Sequence, residues 1–192
     1  MAEPALRGMT VAEFLYWEDG TDTRYELIGG AVIASARGRI AARLPGAIDA
    51  ALRSRPPCFV QVEAGIVRPD RDDTCYVADL AASRAASEAG DRLIRDPFLI
   101  VEILSPSTSD FDRQTKIADY RRIASVAEIL LIDSASMFAE VLRREGERWI
   151  TEIVQGPQPV LALASVPLSI AMAELYDGIP LPEPRPGART AG

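Results

Sequence analysis

The sequence contains no histidine among its 192 residues. This absence excludes Ser-His-Asp and Cys-His catalysis, a histidine metal ligand and a histidine general base. Any acid–base or metal chemistry must therefore use carboxylates, lysine, tyrosine or cysteine. A metal site lined by oxygen atoms would favour Mg²⁺, Mn²⁺ or Ca²⁺.

Cysteine and lysine are nearly as scarce as histidine. Cys58 and Cys75 give no disulfide framework, and without histidine they cannot form an ordinary structural zinc site. We therefore expect two buried, reduced thiols. Lys116 is the only lysine, and every other basic residue is an arginine. A chain that keeps a single lysine among so many arginines suggests a need for the compact ammonium group at that position.

Long apolar runs are also missing, because no apolar segment approaches the roughly 18 residues of a membrane span. The N-terminus lacks a signal-peptide pattern, and we expect a soluble, cytoplasmic protein without a membrane partner. The composition, 48% hydrophobic and 26% charged, fits one globular domain over residues 1–178, followed by a proline-rich, disordered tail over 179–192. The net charge of −7 disfavours broad non-specific nucleic-acid binding but is compatible with a local arginine-lined groove.

The most informative stretch is the apolar run over residues 98–104, which only Glu102 interrupts. Large hydrophobic residues occupy both alternating faces of this run, as in a central strand that is covered on both sides. An unpaired carboxylate is costly in such a place, so Glu102 should be neutralised, hydrogen-bonded or bound to a cation. Lys116 follows fourteen residues later, in a helix that we predict over residues 110–123.

The remaining patterns predict a mixed α/β (α+β) domain, rich in strands in the middle and covered by helices. The predicted helices are 9–17, 39–53 and 169–175, and Pro45 should delay or kink the second of them. A surface loop is predicted over 83–95. The predicted strands are a hairpin of 25–28 and 31–34, then 58–67, 75–81, 127–132, 138–142, 148–154 and one strand within 160–168.

The candidate chemistry rests on Asp79, Glu102 and Lys116, with Glu26 as a fourth candidate. Two carboxylates on neighbouring strands of one sheet can converge on a divalent cation. The cation and the lysine can then stabilise the charge that develops on a phosphate, and this chemistry needs no histidine.

Four stretches of the sequence resemble the Uma-two family, bacterial proteins with a restriction-endonuclease-like domain in the PD-(D/E)XK nuclease superfamily. They are YELIGGAV at 25–32, YVADL at 76–80, PFLIVEILSPST at 97–108 and DRQTKIADY at 112–120. The resemblance covers about residues 9–175. It implies a mixed β-sheet flanked by helices and a nuclease that cleaves phosphodiesters with Mg²⁺ or Mn²⁺. It also implies nucleic acid, with DNA expected, as the substrate, and a homodimer.

The same resemblance assigns roles residue by residue. Asp79 matches the aspartate of the Pro-Asp element and Glu102 the (D/E) position, so these two would hold the metal. The usual lysine position is Leu104 here, and Lys116 on the following helix would replace it. Glu26 matches the glutamate of the opening hairpin. The sequence departs from the family pattern at Ala78, where proline is usual, and in the lack of a histidine within 37–43.

Other interpretations of these residues remain open. The chain could be a catalytically inactive binding or assembly module on the same fold, or a hydrolase of a small phosphoester. Asp79 alone could be a turn or capping residue, and Lys116 could pair with Asp112 on an exposed helix face. For Glu26, a functional and a purely structural role are about equally plausible. Tyr120 is interpreted as a packing residue rather than a site residue.

Overall fold

The fold is known from a computed structural model, which describes residues 9, 25–28, 31–34, 36–67, 75–86, 93–104 and 115–181. Side chains are described at Met9 and from residue 39 onward. The strands are β1 (Tyr25–Ile28), β2 (Ala31–Ala34), β3 (Phe59–Val67), β4 (Cys75–Ser83), β5 (Pro97–Leu104), β6 (Glu128–Asp133), β7 (Phe138–Glu145), β8 (Arg148–Gln155), β9 (Val160–Leu163) and β10 (Leu168–Ala171). The helices are α1 (Ala36–Leu52), α2 (Ile117–Tyr120) and α3 (Met172–Leu175).

Six strands form the main sheet, in the order β3-β4-β5-β6-β7-β8. Only β5 and β6 run parallel, and the other neighbours are antiparallel. Every residue of β5 is buried, which confirms the prediction of a central strand covered on both faces. The parallel β5–β6 pair requires a crossover connection, and this crossover contains α2. The predicted class, a mixed β-sheet with helices on its faces, is confirmed.

Two apolar layers cover the two faces of this sheet. On one face α1 packs against β5 and the C-terminal segment through a stripe of fully buried residues at every fourth position, Ile40, Leu44, Ile48 and Leu52. On the other face Ile117, Tyr120 and Val126 from the crossover pack on Ile100 and Leu104. The face that carries Glu102 is thus covered by the segment that carries Lys116.

Two arginines of α1 attach the C-terminal segment to the domain. The Arg39 guanidinium donates to the carbonyl of Gly178, and Arg43 donates to the carbonyls of Glu174 and Leu175 at the end of α3. Both lie within or beside the stretch in which the resemblance would place a histidine. The helix α1 continues through Pro45 instead of starting after it.

Several sequence-based expectations need correction. Neither thiol is fully buried: Cys58 is only partly buried, and Cys75 is exposed because it is the first residue of β4 and pairs with Val67 at the far end of an edge hairpin. Residues 160–171 form two strands, not one, because Leu161 and Leu163 alternate inward before the turn that contains Pro167. The last helix consequently starts at Met172.

Two element boundaries also differ. Ser83 belongs to β4 instead of a surface loop, and it is buried because its hydroxyl bonds to the backbone carbonyls of Arg95 and Asp96. Helix α2 ends at Tyr120, three residues before the predicted end, and the Arg144 guanidinium donates to carbonyls just beyond it. The predictions for 9–17, 105–114 and 182–192 fall on residues outside the described ranges, apart from Met9. No helix in the described ranges has the length and apolar character needed to cross a bilayer.

Candidate active site

The candidate site lies where the pairing between β4 and β5 stops. The last pair of this ladder is Leu80 with Val101, so Asp79 and Glu102 are the first residues beyond the paired part of the two strands. Asp79 Oδ2 accepts the backbone N–H of Ile103 at 2.7 Å. The carboxylate of Asp79 therefore takes the place of a backbone carbonyl at the point where the two strands separate.

Strand β4 also changes its side-chain alternation at Asp79. Ala78 and Ala81 both belong to the apolar layer beneath α2, although residues three apart on a regular strand point to opposite faces. On the neighbouring strand β3, Glu63 has a φ of 49°, a left-handed value that is rare outside glycine. The distorted β3–β4 hairpin consequently redirects Asp79 relative to a regular strand.

Glu102 is completely buried, and one of its oxygens receives two donors from a single helical face. The Tyr120 hydroxyl donates to Oε1 at 2.7 Å, and Lys116 Nζ lies 3.3 Å from the same oxygen. Lys116 also lies 3.4 Å from the carbonyl of Val77 on β4. The two donors are four residues apart, which places them on the same side of the helical segment. The exposed fraction is 1% for the Glu102 side chain and 13% for Lys116, so this is a largely desolvated ion pair.

Two residues of this cluster, Tyr76 and Asp119, were not anticipated from the sequence. The Tyr76 hydroxyl donates to Asp119 Oδ2 at 2.6 Å, and Asp119 is 7% exposed. The ring of Tyr76 meets the ring of Tyr120 edge-on, with centroids 5.9 Å apart and planes at 86°. The spacing of Lys116, Asp119 and Tyr120 at i, i+3 and i+4 was the signal for a shared helical face. Tyr120 is therefore more than a packing residue, because its hydroxyl contacts Glu102.

The four sequence-predicted residues differ in how far the structure describes them. Lys116 contacts Glu102 directly and also the main chain of β4 two residues before Asp79, whereas Asp79 contacts the backbone of the residue after Glu102. Glu26 lies in β1 and pairs with Ile33 of β2. Its side chain is outside the described residues, so its relation to the other three stays a prediction.

The donor set at the site fits a small divalent cation. Mg²⁺ prefers oxygen ligands, and commonly binds one or two carboxylates while water and phosphate oxygens complete its octahedron. Asp79 and Glu102 supply two carboxylates from neighbouring strands of the sheet. Among the described residues, no three side chains of His, Cys, Asp or Glu are grouped closely enough to hold an ion. Further ligands would therefore come from other sources, such as water or phosphate.

A second buried carboxylate, Glu128 on β6, serves a structural role and can be compared with Glu102. Glu128 is 1% exposed and accepts hydrogen bonds from Arg143, from the backbone of Ala164 and from the backbone and hydroxyl of Ser165. Desolvation alone would lower the pKa of the Arg143 guanidinium, but its hydrogen bonds to Glu152 and Glu128 raise that pKa overall. Glu128 thus joins the sheet to the turn after β9.

Comparison with protein-family models matches residues 11–173 to the family described as "Uma2: Putative restriction endonuclease". The chain belongs to the Uma2 family. The matched range includes β1 to β10 and therefore all four candidate residues.

Similar proteins and a similar fold accompany this match. The uncharacterized protein sll1609 of Synechocystis sp. is 26% identical over 156 residues, which cover 77% of this chain and 88% of that protein. The uncharacterized protein slr1290 of the same organism is 30% identical over 112 residues, covering 58% of this chain and 54% of the relative. A solved structure, described as a putative nuclease belonging to DUF820 from Anabaena variabilis, has a TM-score of 0.61 at 20% identity, covering 88% of this chain and 97% of that chain. At that identity, the likeness establishes that this Uma2 protein shares the fold.

Proposed function

We propose that this Uma2 protein is a nuclease that hydrolyses phosphodiester bonds of nucleic acid with Mg²⁺ or Mn²⁺. The observation that carries the proposal is the buried pair of Glu102 on β5 with Lys116 from the crossover segment, beside Asp79 of β4, which binds the backbone of the residue after Glu102. The descriptions of the family and of the Anabaena variabilis protein name the same class of activity.

Asp79 and Glu102 are the residues that would hold the metal. When bound, the ion would supply charge stabilisation for the phosphate and activation of water. The hydrogen bond from the backbone of Ile103 orients the Asp79 carboxylate, and the donors on Oε1 orient that of Glu102. This preorganisation matters because ligands that are already fixed need no rearrangement when charge develops.

Lys116 would act on the phosphate or on the attacking water. Its side chain is 13% exposed while its ammonium contacts Glu102. A compact ammonium that is partly desolvated is an effective point charge for a phosphate oxygen. The acidic net charge of −7 makes such local positive charge important for any contact with nucleic acid.

The first experiment is a calorimetric titration with Mn²⁺, with and without a phosphorothioate DNA oligonucleotide. We expect wild-type protein to bind Mn²⁺, and Asp79→Ala and Glu102→Gln to lose this binding while they remain folded. Glu128→Gln, a change at the other buried carboxylate of the same sheet, is the matched control and should retain binding. Absence of Mn²⁺ binding by the wild type under both conditions would refute the metal site and favour a binding or assembly module.

Cleavage assays then test the substrate class. Plasmid DNA, single-stranded RNA and a nitrophenyl phosphodiester separate the DNA nuclease proposed here from an RNA nuclease and from a small-phosphoester hydrolase. We expect Lys116→Ala to lower the rate by about 10²-fold, as removal of one transition-state donor does in other enzymes. Full cleavage by purified Glu102→Ala would refute the proposal. A homodimer and a cytoplasmic location belong to the same proposal, and light scattering checks the dimer.

A further inference from the structure

We propose that Tyr120 is a positioning residue for Glu102, and that its hydroxyl sets the metal affinity of the site. This inference deepens the proposed function and rests on it. Neither the family description nor the names of similar proteins assign any role to this tyrosine.

Tyr120 and Glu102 are joined by a short, buried hydrogen bond. The Tyr120 hydroxyl lies 2.7 Å from Glu102 Oε1, closer than the 3.3 Å of Lys116 Nζ. Both Tyr120 and Glu102 are 0% exposed, so water does not compete with this bond. A short bond to a buried carboxylate is of the charge-assisted class, which is stronger and more directional than a neutral one.

The ring of Tyr120 is held in place by a residue of the neighbouring strand β4. The ring of Tyr76 on β4 contacts it edge-on, and the hydroxyl of Tyr76 is anchored by Asp119, the residue next to Tyr120. The helical segment therefore reaches the two strands through two tyrosine–carboxylate bonds, Tyr120 with Glu102 on β5 and Asp119 with Tyr76 on β4. This edge-on ring contact limits how far the Tyr120 hydroxyl can move from Glu102, and phenylalanine at position 76 would keep the contact.

The orientation of the Glu102 carboxylate affects the affinity of the site for a metal ion. A ligand carboxylate that is oriented by a neighbouring donor loses less rotational freedom when an ion binds. Loss of such an outer partner commonly lowers metal affinity by about 10–100-fold. Packing alone would not require the hydroxyl, because phenylalanine would fill the same buried volume between β4 and β5. The hydroxyl is therefore the part of Tyr120 that serves the site.

The test compares Tyr120→Phe with Tyr76→Phe in the full chain. Each change keeps an aromatic ring, buried at Tyr120 and partly buried at Tyr76, and removes one hydroxyl that donates to a buried carboxylate, so the two variants are matched in volume and in the type of bond lost. We measure Mn²⁺ affinity by calorimetry, the thermal midpoint without metal, and DNA binding in the presence of EDTA. We expect Tyr120→Phe to weaken Mn²⁺ binding by about 10-fold or more, with DNA binding unchanged. Tyr76→Phe should stay within about twofold of wild type.

Each other outcome overturns the inference in a distinguishable way. Mn²⁺ binding that Tyr120→Phe leaves unchanged, while Glu102→Gln abolishes it, would refute the positioning role and leave the proposed nuclease site intact. Equal losses in both tyrosine variants, or a much lower thermal midpoint for Tyr120→Phe than for Tyr76→Phe, would assign Tyr120 a purely structural role. Absence of Mn²⁺ binding in the wild type would overturn the metal site together with this inference.

Discussion

Replacement of Lys116 by methionine should reveal how strongly the fold depends on neutralising Glu102. Lys116 Nζ and Glu102 Oε1 are 3.3 Å apart, and their side chains are 13% and 1% exposed. At an effective dielectric constant of about 20, the Coulomb energy of such a pair is about 5 kcal/mol. The ammonium keeps part of its hydration, so we expect Lys116→Met to destabilise the protein by about 3 kcal/mol, the lower end for a broken buried pair.

Glu102→Gln should have a much smaller effect, although it changes the same ion pair from its other side. Glutamine keeps the shape of the side chain, and its carbonyl can still accept from Tyr120 and Lys116. Since this variant leaves no charged group buried in the sheet, we expect it to lie within about 1 kcal/mol of wild type or to be more stable. In this background, Lys116→Met should cost only about 1 kcal/mol, which gives a coupling energy of about 2 kcal/mol.

Urea unfolding in EDTA, followed by far-ultraviolet circular dichroism, measures all four proteins without interference from metal. Glu128→Gln is the matched control, because Glu128 is equally buried but its charge accepts four described hydrogen bonds. We expect this control to lose about 2 kcal/mol. The two Glu→Gln substitutions on neighbouring strands should therefore have clearly different effects on the free energy of unfolding.

The reasoning fails if Lys116→Met costs less than about 1 kcal/mol, or costs the same with glutamate and with glutamine at position 102. Either result would mean that the ammonium does not offset a buried charge on Glu102. If Glu102→Gln is at least as stable as wild type, the carboxylate reduces stability without metal. A residue that is kept despite such a cost is expected at a functional site.

Two further predictions concern residues outside the site, Tyr176 and Arg144, whose side chains bind backbone carbonyls. Burial raises the pKa of Tyr176, which donates to the carbonyls of Asp133 and Phe138, so the folded protein keeps this proton at a pH at which the unfolded chain, with a pKa of about 10, has lost it. The stability that this group contributes is therefore fully present below pH ~10 and is lost as the pH rises further. The free energy of unfolding should fall by no more than about 1.4 kcal/mol per pH unit. Tyr176→Phe should remove this pH dependence in unfolding measurements between about pH 8 and 11. Arg144 donates to backbone carbonyls of the segment after α2 at 2.6 to 2.9 Å. In Arg144→Lys a single ammonium cannot reach all of these carbonyls, so the variant should lose about 2 kcal/mol of stability and exchange its amide hydrogens faster over residues 117–126. Unchanged amide exchange over these residues would contradict this role.

The sequence predicted the central strand well, because hydrophobic runs determine burial directly. Residues 98–104 had apolar side chains on both faces, and β5 is buried along its whole length. The same pattern made Glu102 conspicuous. It could not identify the donors to Glu102, since they depend on the path of the crossover over the sheet. The spacing of Lys116 and Tyr120 predicted that they share one helical face. It did not predict which strand of the sheet this face would cover.

Predictions failed where a tertiary contact overrides a local pattern. Ser83 has the composition of a loop residue, yet it is buried because carbonyls of the β4–β5 connection satisfy its hydroxyl. The hairpin of β9 and β10 was hidden because Pro167 lies in the turn between its short strands. Asp119 was overlooked because an acid on a helix is usually solvated, whereas here it is buried and accepts a hydrogen bond from Tyr76.

The location of the site follows from the way in which β5 is paired on its two sides. Toward β6 the ladder continues to the end of the strand, where Leu104 pairs with Asp133. Toward β4 it stops at Val101, so Glu102 keeps a neighbouring strand on one side only. A sheet that served the core alone would gain by continuing both ladders, because each lost pair leaves backbone donors and acceptors without their usual partners. Here the Asp79 carboxylate replaces one of those acceptors, and Lys116 approaches both strands at the same point. The interrupted ladder thus places the Asp79 carboxylate at the backbone of Ile103 and leaves Glu102 to pair with Lys116, and the metal-assisted phosphate chemistry proposed above would use these groups.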